Sequence, residues 1–336
     1  MSRILIIGGT GNISTGITNL LLENGGHEIF HLNRGLKQKE VTGVTTLLAD
    51  RKDSKAFQHV VESAGNFDCV IDMICYKPDE ANQAIELFRG KTGQYILCSS
   101  AEVYDRRHVS YPIHEDQPLG WLNSDYEFGL GKVLCEQLFD QAEEEDFNVT
   151  TFRPATTYSE GTPLVHLFGW DTYFIDRIRK NKPIIAHGDG TTVMVAAHRD
   201  DVASAFVNAI GNPVAFGKKY NVTGMEMMTW VQYYSLLAWS NGYSDPAFVY
   251  IPSREILKLE PEKAYPLNVN YRFNDLYDNS EAIRDLDFKY TIDWLEGSAR
   301  CITWLEENRQ MKDCADFPFY DSIIDRWSRM LGLPSF

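Results

Sequence analysis

The sequence lacks any apolar run that approaches membrane-spanning length, and it has no internal repeat and no low-complexity tract. A transmembrane helix needs about 20 consecutive apolar residues, so no membrane segment is predicted. Met1 leads directly into a strand-like stretch, without the basic segment, apolar segment and cleavage site of a secretion signal. From these absences we expect a cytoplasmic protein with no membrane partner.

Cysteine and positive charge are both in short supply. Six cysteines are scattered through 336 residues without paired metal-ligand spacing, which predicts buried, reduced thiols and no metal site. The 32 basic residues face 47 acidic ones, which gives a net charge of −15. Such a surface repels nucleic acid, so nucleic acid is not an expected partner, and an anionic ligand would need a local pocket.

The strongest positive signal lies in the first seventeen residues. Residues 4–7 form an unbroken apolar run with β-branched side chains, which is typical of a strand buried on both faces of a parallel sheet. Gly8, Gly9 and Gly11 follow at once, and a helical apolar pattern begins at Ile13. The order is therefore strand, glycine turn, helix.

A glycine turn at the start of a helix lets a pyrophosphate approach the backbone amides there, where the helix dipole favours negative charge. We therefore predict a dinucleotide site formed by Gly8, Gly11, Asn12 and Ile13. The third position of the glycine spacing is Ser14, which is small enough for close helix–strand packing. The alternative is a simple strand–helix turn in another doubly wound protein.

The end of the second strand bears on the choice of cofactor. In a dinucleotide fold this position meets the adenosine ribose, where a carboxylate suits the 2′-hydroxyl of NAD and a cation suits the 2′-phosphate of NADP. Asn33 stands where the carboxylate is expected, and Arg34 follows with a guanidinium suited to phosphate. The pair favours NADP, with NAD as the alternative, unless Arg34 is an incidental arginine in a solvated turn.

The next two strands complete the predicted cofactor site. Asp50, with Arg51 beside it, follows the third strand and is placed to meet the adenine, because Asp53 or Ser54 suits the cap of the next helix better. Met73 lies at the end of the fourth strand, and ligands gather at the carboxyl ends of strands in open sheets.

Five motifs then occur in a characteristic order. They are the glycine turn, Ser99-Ser100-Ala101-Glu102-Val103-Tyr104, the helix with Lys132 and Glu136, Arg153-Pro154, and His198-Arg199-Asp200-Asp201-Val202. With them the chain resembles the extended short-chain dehydrogenase/reductase superfamily, in its epimerase/dehydratase branch, over nearly its whole length. Other segments, among them Asn33-Arg34-Gly35, are similar to atypical members related to chloroplast stem-loop-binding proteins.

The resemblance implies an α/β fold: a doubly wound parallel (Rossmann) sheet with a smaller C-terminal α+β substrate domain. We predict a nucleotide-binding domain over residues 1–160, with a return segment around 191–223. A substrate-binding domain is predicted over residues 161–190 and 224–336. The length of the chain suits this division into one large unit and one smaller unit.

The resemblance also implies hydride transfer between a sugar-like substrate, commonly nucleotide-linked, and a nicotinamide cofactor. By position, Ser100 would donate a hydrogen bond to the substrate oxygen, and Lys132 would hold the nicotinamide ribose and lower the pKa of a catalytic tyrosine. That tyrosine is expected four residues before the lysine, but Phe128 occupies the position and has no proton to exchange.

Two side chains are the leading candidates for the missing proton carrier; a third phenol, Tyr104, is in the family that the chain resembles mainly part of the loop signature. Tyr126 precedes Lys132 by six residues, which points it away from the lysine on a regular helix, but Gly129 and Gly131 favour an irregular turn. Glu102 stands where related dehydratases carry a catalytic glutamate. We rank Tyr126 slightly above Glu102, and a site in which neither acts stays open.

Two functions therefore compete. The first is an NAD(P)-dependent epimerase, dehydratase or reductase of a sugar-like small molecule, with a homodimer as a possible assembly. The second is a catalytically degenerate cofactor-binding protein with a regulatory or RNA-binding role. Phe128 favours the second, whereas Ser100 and Lys132 favour the first.

Overall fold

The computed structural model describes residues 1–36, 41–121, 126–142 and 147–333 of the chain. Within these residues, the strands β1 to β15 are, in chain order, Ser2–Ile7, His27–Asn33, Val44–Leu48, Phe67–Asp72, Thr92–Cys98, Val149–Pro154, Thr156–Tyr158, Leu164–His166, Gly169–Asp171, Ile184–His187, Val193–Met194, Ala196–His198, Lys219–Val222, Met228–Thr229 and Phe248–Ile251. The α-helices α1 to α11 are Asn12–Asn24, Ser54–Ala64, Pro78–Phe88, Glu127–Ala142, Tyr173–Arg179, Arg199–Ala209, Trp230–Ser240, Ser253–Leu259, Ser280–Leu286, Trp294–Glu307 and Pro318–Met330.

The chain forms two compact units. The first consists of Met1–Thr157, Arg199–Thr223 and Tyr277–Thr291, and the rest of the chain forms the second. These limits differ from the predicted ones, since residues 191–198 belong to the second unit and residues 277–291 to the first. Hydrogen bonds explain the second difference: the Asp201 carboxylate of α6 accepts from the backbone amide and hydroxyl of Thr291, at 2.8 and 2.5 Å.

A seven-stranded parallel sheet organises the first unit. Its strand order is β13-β6-β5-β4-β1-β2-β3, and every neighbouring pair is parallel. The chain builds outward from β1 in one direction and then returns to build from its other side, which confirms the predicted doubly wound sheet. The carboxyl ends of β1, β2, β4 and β5 therefore share one edge.

Apolar side chains explain why β1 is central. Residues 4–7 are fully buried, as expected for a strand covered on both faces. Leu5 shares a buried cluster with Phe57 of α2 and Phe139 of α4, whereas Phe206 of α6 stacks on Phe152 of β6 at 4.2 Å. Helices thus cover the sheet on both sides.

Helix termini show where local prediction succeeded and failed. The Asp53 side chain accepts a hydrogen bond from the Ala56 amide, which confirms a cap at the start of α2. The sequence predicts that helix α6 begins at Val202 behind a cap at Asp200 or Asp201, because aspartate is a favoured cap, but the helix begins at Arg199. The two aspartates therefore lie in its first turn, and Asp201 bonds to Thr291 instead.

The second unit has its own core, rich in aromatic residues. Trp294 is fully buried and stacks on Tyr233 at 4.3 Å. The aromatic residues of α7 are mainly core residues; Trp239, 70% exposed, is the exception. The C-terminal helix α11 buries Ile323 and Ile324 in the same cluster. Helix α11 therefore packs on the core of its own unit.

Two further sequence predictions concern side chains and helices throughout the described chain. All six cysteines are buried and unbridged, as expected. None of the helices among the described residues combines the length and the apolar character that crossing a membrane requires.

Candidate functional site

The turn after β1 has the geometry of a phosphate-binding loop. Gly8 has a φ of +84°, and a Cβ at this position would lie 2.7 Å from Cγ2 of Ile74. The Ser14 hydroxyl donates to the Gly8 carbonyl at 2.8 Å and accepts from the Gly11 amide at 2.9 Å. Ser14 therefore ties the turn together as well as packing in place of a third glycine.

Helix α1 begins at Asn12, so the amides of its first turn have no intrahelical acceptor and the positive end of its dipole lies at the glycine turn. The Asn12 side chain donates to the Thr157 carbonyl at 2.9 Å, and Ile13 is half-buried beside it. An exposed Gly11 ahead of this helix leaves room for a pyrophosphate. These residues fit a dinucleotide.

The ends of β2 and β3 carry the predicted adenosine contacts. Asn33 is half-buried at the last position of β2, and the Arg34 side chain is exposed. Asp50 is also exposed, and its carboxylate accepts from the Lys52 amide at 2.9 Å. All three side chains lie at the sheet edge where the glycine turn lies.

Arg51 has a different role from the predicted one. Its guanidinium is buried, donating to both carboxylate oxygens of Asp72 at 2.8 and 2.6 Å and to the Glu80 carbonyl at 2.8 Å. The Tyr95 hydroxyl also donates to Asp72, at 2.5 Å. Because Arg51 is committed to this interior ion pair, we correct the prediction and leave it out of the proposed cofactor site.

Ser100 follows β5 and opens a short 3₁₀ turn, Ala101–Val103. Its hydroxyl accepts from the Glu102 amide at 3.1 Å, and both residues are half-buried. A hydroxyl that accepts one hydrogen bond can still donate another, so the Ser100 hydroxyl could donate to an oxygen of a bound ligand.

The two candidate proton carriers contact each other. The Tyr126 hydroxyl donates a hydrogen bond to Oε2 of Glu102. Helix α4 begins at Glu127, and the Tyr126 carbonyl accepts the first helical bond from Leu130. Tyr126 thus lies just before the helix, where helical spacing does not dictate its direction, and this explains how it reaches the end of β5.

Lys132 approaches the same strand end from α4. It is buried, and its ammonium donates to the Cys98 carbonyl at 2.6 Å, two residues before Ser100. The Tyr76 ring lies 4.5 Å from Nζ and the Phe128 ring 6.0 Å from it, both in cation–π range. Burial raises the pKa of Tyr76 to about 12, so this phenol is a weak acid.

A buried polar network supports the site from behind. Glu136 accepts from Arg153 at 2.6 and 3.1 Å and from the Ser99 hydroxyl at 2.5 Å. Arg153 also donates to the Tyr104 hydroxyl, which donates in turn to Asn221 at 2.6 Å. Burial raises the pKa of Tyr104 to about 12, so Tyr104 is a structural member of this network.

Sequence reasoning missed Tyr76 and Trp121. Tyr76 follows the fourth strand, where side chains that contact a cofactor are expected, so its position in the sequence could have revealed it. Trp121 donates from its indole to the Glu102 carbonyl and packs against the Tyr126 ring. No sequence spacing could have revealed this contact, because Trp121 lies in the loop before α4 and Glu102 on another segment.

A cluster of possible metal ligands and a buried histidine lie in the second unit. Ligand atoms of Asp176, Asp313 and Cys314 lie within 4.8 Å of one another. Lys180 and Arg179 already neutralise Asp176, at 2.8 and 2.6 Å, so the geometry is that of an ion-pair network. His166 is buried and stacks on the Phe174 ring, as a core residue does.

Comparison with known proteins gives the family context. The Chloroplast stem-loop binding protein of 41 kDa b from Arabidopsis thaliana is 26% identical over 338 residues, covering 96% of this chain and 84% of that protein. An epimerase from Methanothermobacter thermautotrophicus has a TM-score of 0.74 at 16% identity, covering 92% of this chain and 93% of its own.

The UDP-glucuronic acid 4-epimerase from Bacillus cereus, solved with NAD, has a TM-score of 0.69 at 16% identity, covering 92% of this chain and 98% of its own. At these identities the two structures share the fold with this chain. The model described as "NAD dependent epimerase/dehydratase family" matches residues 4–223, which include the glycine turn, Ser100, Lys132 and the parallel sheet apart from the first two residues of β1. The chain therefore belongs to the NAD-dependent epimerase/dehydratase family.

Proposed function

We propose that this protein is an NADP-preferring oxidoreductase of a sugar-like, nucleotide-linked substrate, in which Tyr126 and Glu102 together replace the tyrosine absent at Phe128. The hydrogen bond between Tyr126 and Glu102, next to Ser100, is the observation that carries the proposal. Membership in the epimerase/dehydratase family supports the reaction class. The UDP-glucuronic acid 4-epimerase with the same fold supports the substrate class.

The residues that would hold the cofactor follow from their positions. The amides of Gly11, Asn12 and Ile13 would meet the pyrophosphate at the start of α1, and Lys132 would hold the nicotinamide ribose. When bound, the nicotinamide accepts or returns a hydride. Asn33 and the exposed Arg34 support NADP because β2 does not end in the carboxylate that would repel a 2′-phosphate.

The proton would move through the hydrogen-bonded pair. In the oxidising direction the substrate hydroxyl gives its proton to the Tyr126 oxygen as the phenol proton passes to Glu102, and in the reducing direction both transfers reverse. Ser100 donates a hydrogen bond to the substrate oxygen, which stabilises the charge that develops there. Glu102 is thus the final proton acceptor, a role that a protonated Tyr126 could not fill by itself.

A panel of nucleotide sugars and their keto derivatives, assayed with NADP(H) and NAD(H) by nicotinamide absorbance, tests this proposal. We expect Tyr126→Phe and Glu102→Gln each to lower kcat about 100-fold or more, the range for one lost acid–base group. We expect Ser100→Ala to abolish turnover. The effects of Tyr126→Phe and Glu102→Gln should not add in the double variant, since the two residues act as a unit.

Phe128→Tyr is the matched control, because it returns a phenol to the position where the family resemblance expects one. We expect it to leave turnover unchanged. Wild-type turnover in Tyr126→Phe would contradict the proposed role of the phenol and leave Glu102 as the carrier.

The second candidate is a cofactor-binding protein without redox chemistry, and Phe128 supports it because a phenylalanine, 38% exposed, stands at the catalytic position. An inactive wild type that binds NADP and gains turnover with Phe128→Tyr would favour this second candidate.

The Arabidopsis relative is named for stem-loop binding, but the net charge of −15 here argues against RNA as a ligand. A cytoplasmic location and a homodimer stay predictions.

A further inference from the structure

One aromatic residue contacts both members of the Tyr126–Glu102 pair. The Trp121 indole N–H donates to the Glu102 backbone carbonyl, and its ring lies edge-on to the Tyr126 ring, with centroids 4.8 Å apart. The Trp121 side chain therefore contacts Glu102 through a hydrogen bond and Tyr126 through ring packing.

The backbone of Trp121 is held in an unfavourable conformation. Its φ is +70°, in the left-handed region that bulky residues rarely adopt. Such strain persists only where surrounding contacts impose it, and it concentrates at functional sites.

The preceding segment supplies those contacts. The Gly120 amide donates to the Val103 carbonyl at 2.8 Å, and the Asp105 amide donates to the Pro118 carbonyl at 2.9 Å. A Cβ on Gly120 would lie 2.9 Å from the Asp105 Cα, so the two segments approach more closely than a side chain would allow. The chain that follows Glu102 is thus hydrogen-bonded to the chain that leads into Trp121.

Helix α4 makes room for the same contact. A Cβ on Gly129 would lie 2.7 Å from Cδ1 of Trp121 and 2.7 Å from Cδ1 of Tyr126. Glycine destabilises a helix relative to alanine, so helix propensity does not explain its presence here. The space that Gly129 leaves is filled by the two rings.

From these contacts we infer that Trp121 is a positioning residue that holds Glu102 and Tyr126 in their hydrogen-bonded arrangement. Its catalytic consequence rests on the proposed function, whereas its structural consequence can be measured without any substrate. Trp121 fixes the carboxylate residue through the Glu102 carbonyl and limits the rotation of the phenol ring, so that the proton path is set before substrate binds.

Nuclear magnetic resonance of the full chain labelled with ¹³Cζ-tyrosine tests the arrangement directly. Tyr126→Phe identifies the Tyr126 signal, and Glu102→Gln gives its position when the carboxylate is lost. We expect Trp121→Ala to move the Tyr126 signal toward the Glu102→Gln position. Trp239→Ala, which removes an exposed tryptophan from the second unit, should leave it unchanged.

Trp121→Phe keeps a ring against Tyr126 and removes only the indole N–H, so it serves as the conservative variant and as the substitute if Trp121→Ala does not fold. We expect a smaller shift of the Tyr126 signal in the same direction. A Tyr126 signal at the wild-type position in the folded Trp121 variants overturns the inference, and so does a Glu102→Gln spectrum identical to that of the wild type.

Turnover separates positioning from general support of the fold. We expect Trp121→Ala to lower kcat about 10-fold with KM unchanged, and to cause no further loss in the Tyr126→Phe background. An equal loss in both backgrounds overturns the inference. A wild type that neither binds NADP nor turns over a nucleotide sugar contradicts the proposed function instead, and the Tyr126 signal still tests the role of Trp121.

Discussion

Lys132 and Cys98 join helix α4 to the end of β5, through a 2.6 Å hydrogen bond from the Lys132 ammonium to the Cys98 carbonyl. Lys132 is 2% exposed, so this ammonium lies in the interior at the carboxyl edge of the sheet. We expect Lys132→Met to abolish turnover and to lower the free energy of unfolding by about 1–3 kcal/mol, because a buried carbonyl loses its donor. Urea unfolding measures the second effect, and Lys91→Met, at an exposed lysine, is the control. Unchanged stability would show that the carbonyl finds another donor.

Arg34 is expected to set the cofactor preference. NADP should raise the melting temperature of the wild type more than NAD at equal concentration. In Arg34→Ala the affinity for NADP should fall about tenfold, or about 1.4 kcal/mol, with little change for NAD. Arg107→Ala removes the same charge from another exposed position and should change neither. Equal shifts with the two cofactors would contradict the preference.

Gly131 packs α4 against the backbone after β4. A Cβ at Gly131 would lie 2.1 Å from the Tyr76 carbonyl oxygen, which is far inside van der Waals contact. Helix propensity alone predicts that Gly131→Ala stabilises the protein by about 0.5–1 kcal/mol. We expect the opposite sign, a loss of about 2 kcal/mol or more in chemical unfolding, because overpacking forces the helix away from the segment after β4. Ser63→Ala, at an exposed position in α2, should change stability by less than about 0.5 kcal/mol, and a stabilised Gly131→Ala would refute the close approach.

His166 should make stability depend on pH. Burial lowers the pKa of His166 from 6.5 to about 3, so the unfolded chain binds a proton between these values that the folded chain does not. Its contribution to stability is therefore complete above pH 6.5 and is lost as the pH falls toward 3.

His166→Phe should keep the ring packing against Phe174 and remove this dependence. Between about pH 6 and pH 4 its free energy of unfolding should fall less steeply than that of the wild type, by up to about 1.4 kcal/mol per pH unit. His59→Gln, at an exposed histidine, should follow the wild-type slope. Parallel slopes for wild type and His166→Phe would contradict the buried, neutral state.

Much of the first unit was predictable because its signals are local. The apolar run before Gly8 and the turn residues that follow predict a buried strand and the turn at its end. The start of α6 was misjudged because capping preference competes with tertiary hydrogen bonds, and Thr291 claimed the Asp201 side chain. Arg51 was misassigned because its partner Asp72 lies on another strand.

The sequence by itself determined the buried first strand and the glycine turn at the start of α1, and its resemblance to a known family implied the doubly wound sheet and the roles of Ser100 and Lys132. The strand and the glycine turn follow from residue type and spacing, because they depend on residues that are neighbours in the chain. Only the tertiary structure decided that Tyr126 and Glu102 form one hydrogen-bonded pair, that Trp121 contacts both, and that Gly129 leaves the space for them. The physical reason is that these contacts join segments distant in sequence, where no helical or strand period relates one side chain to another.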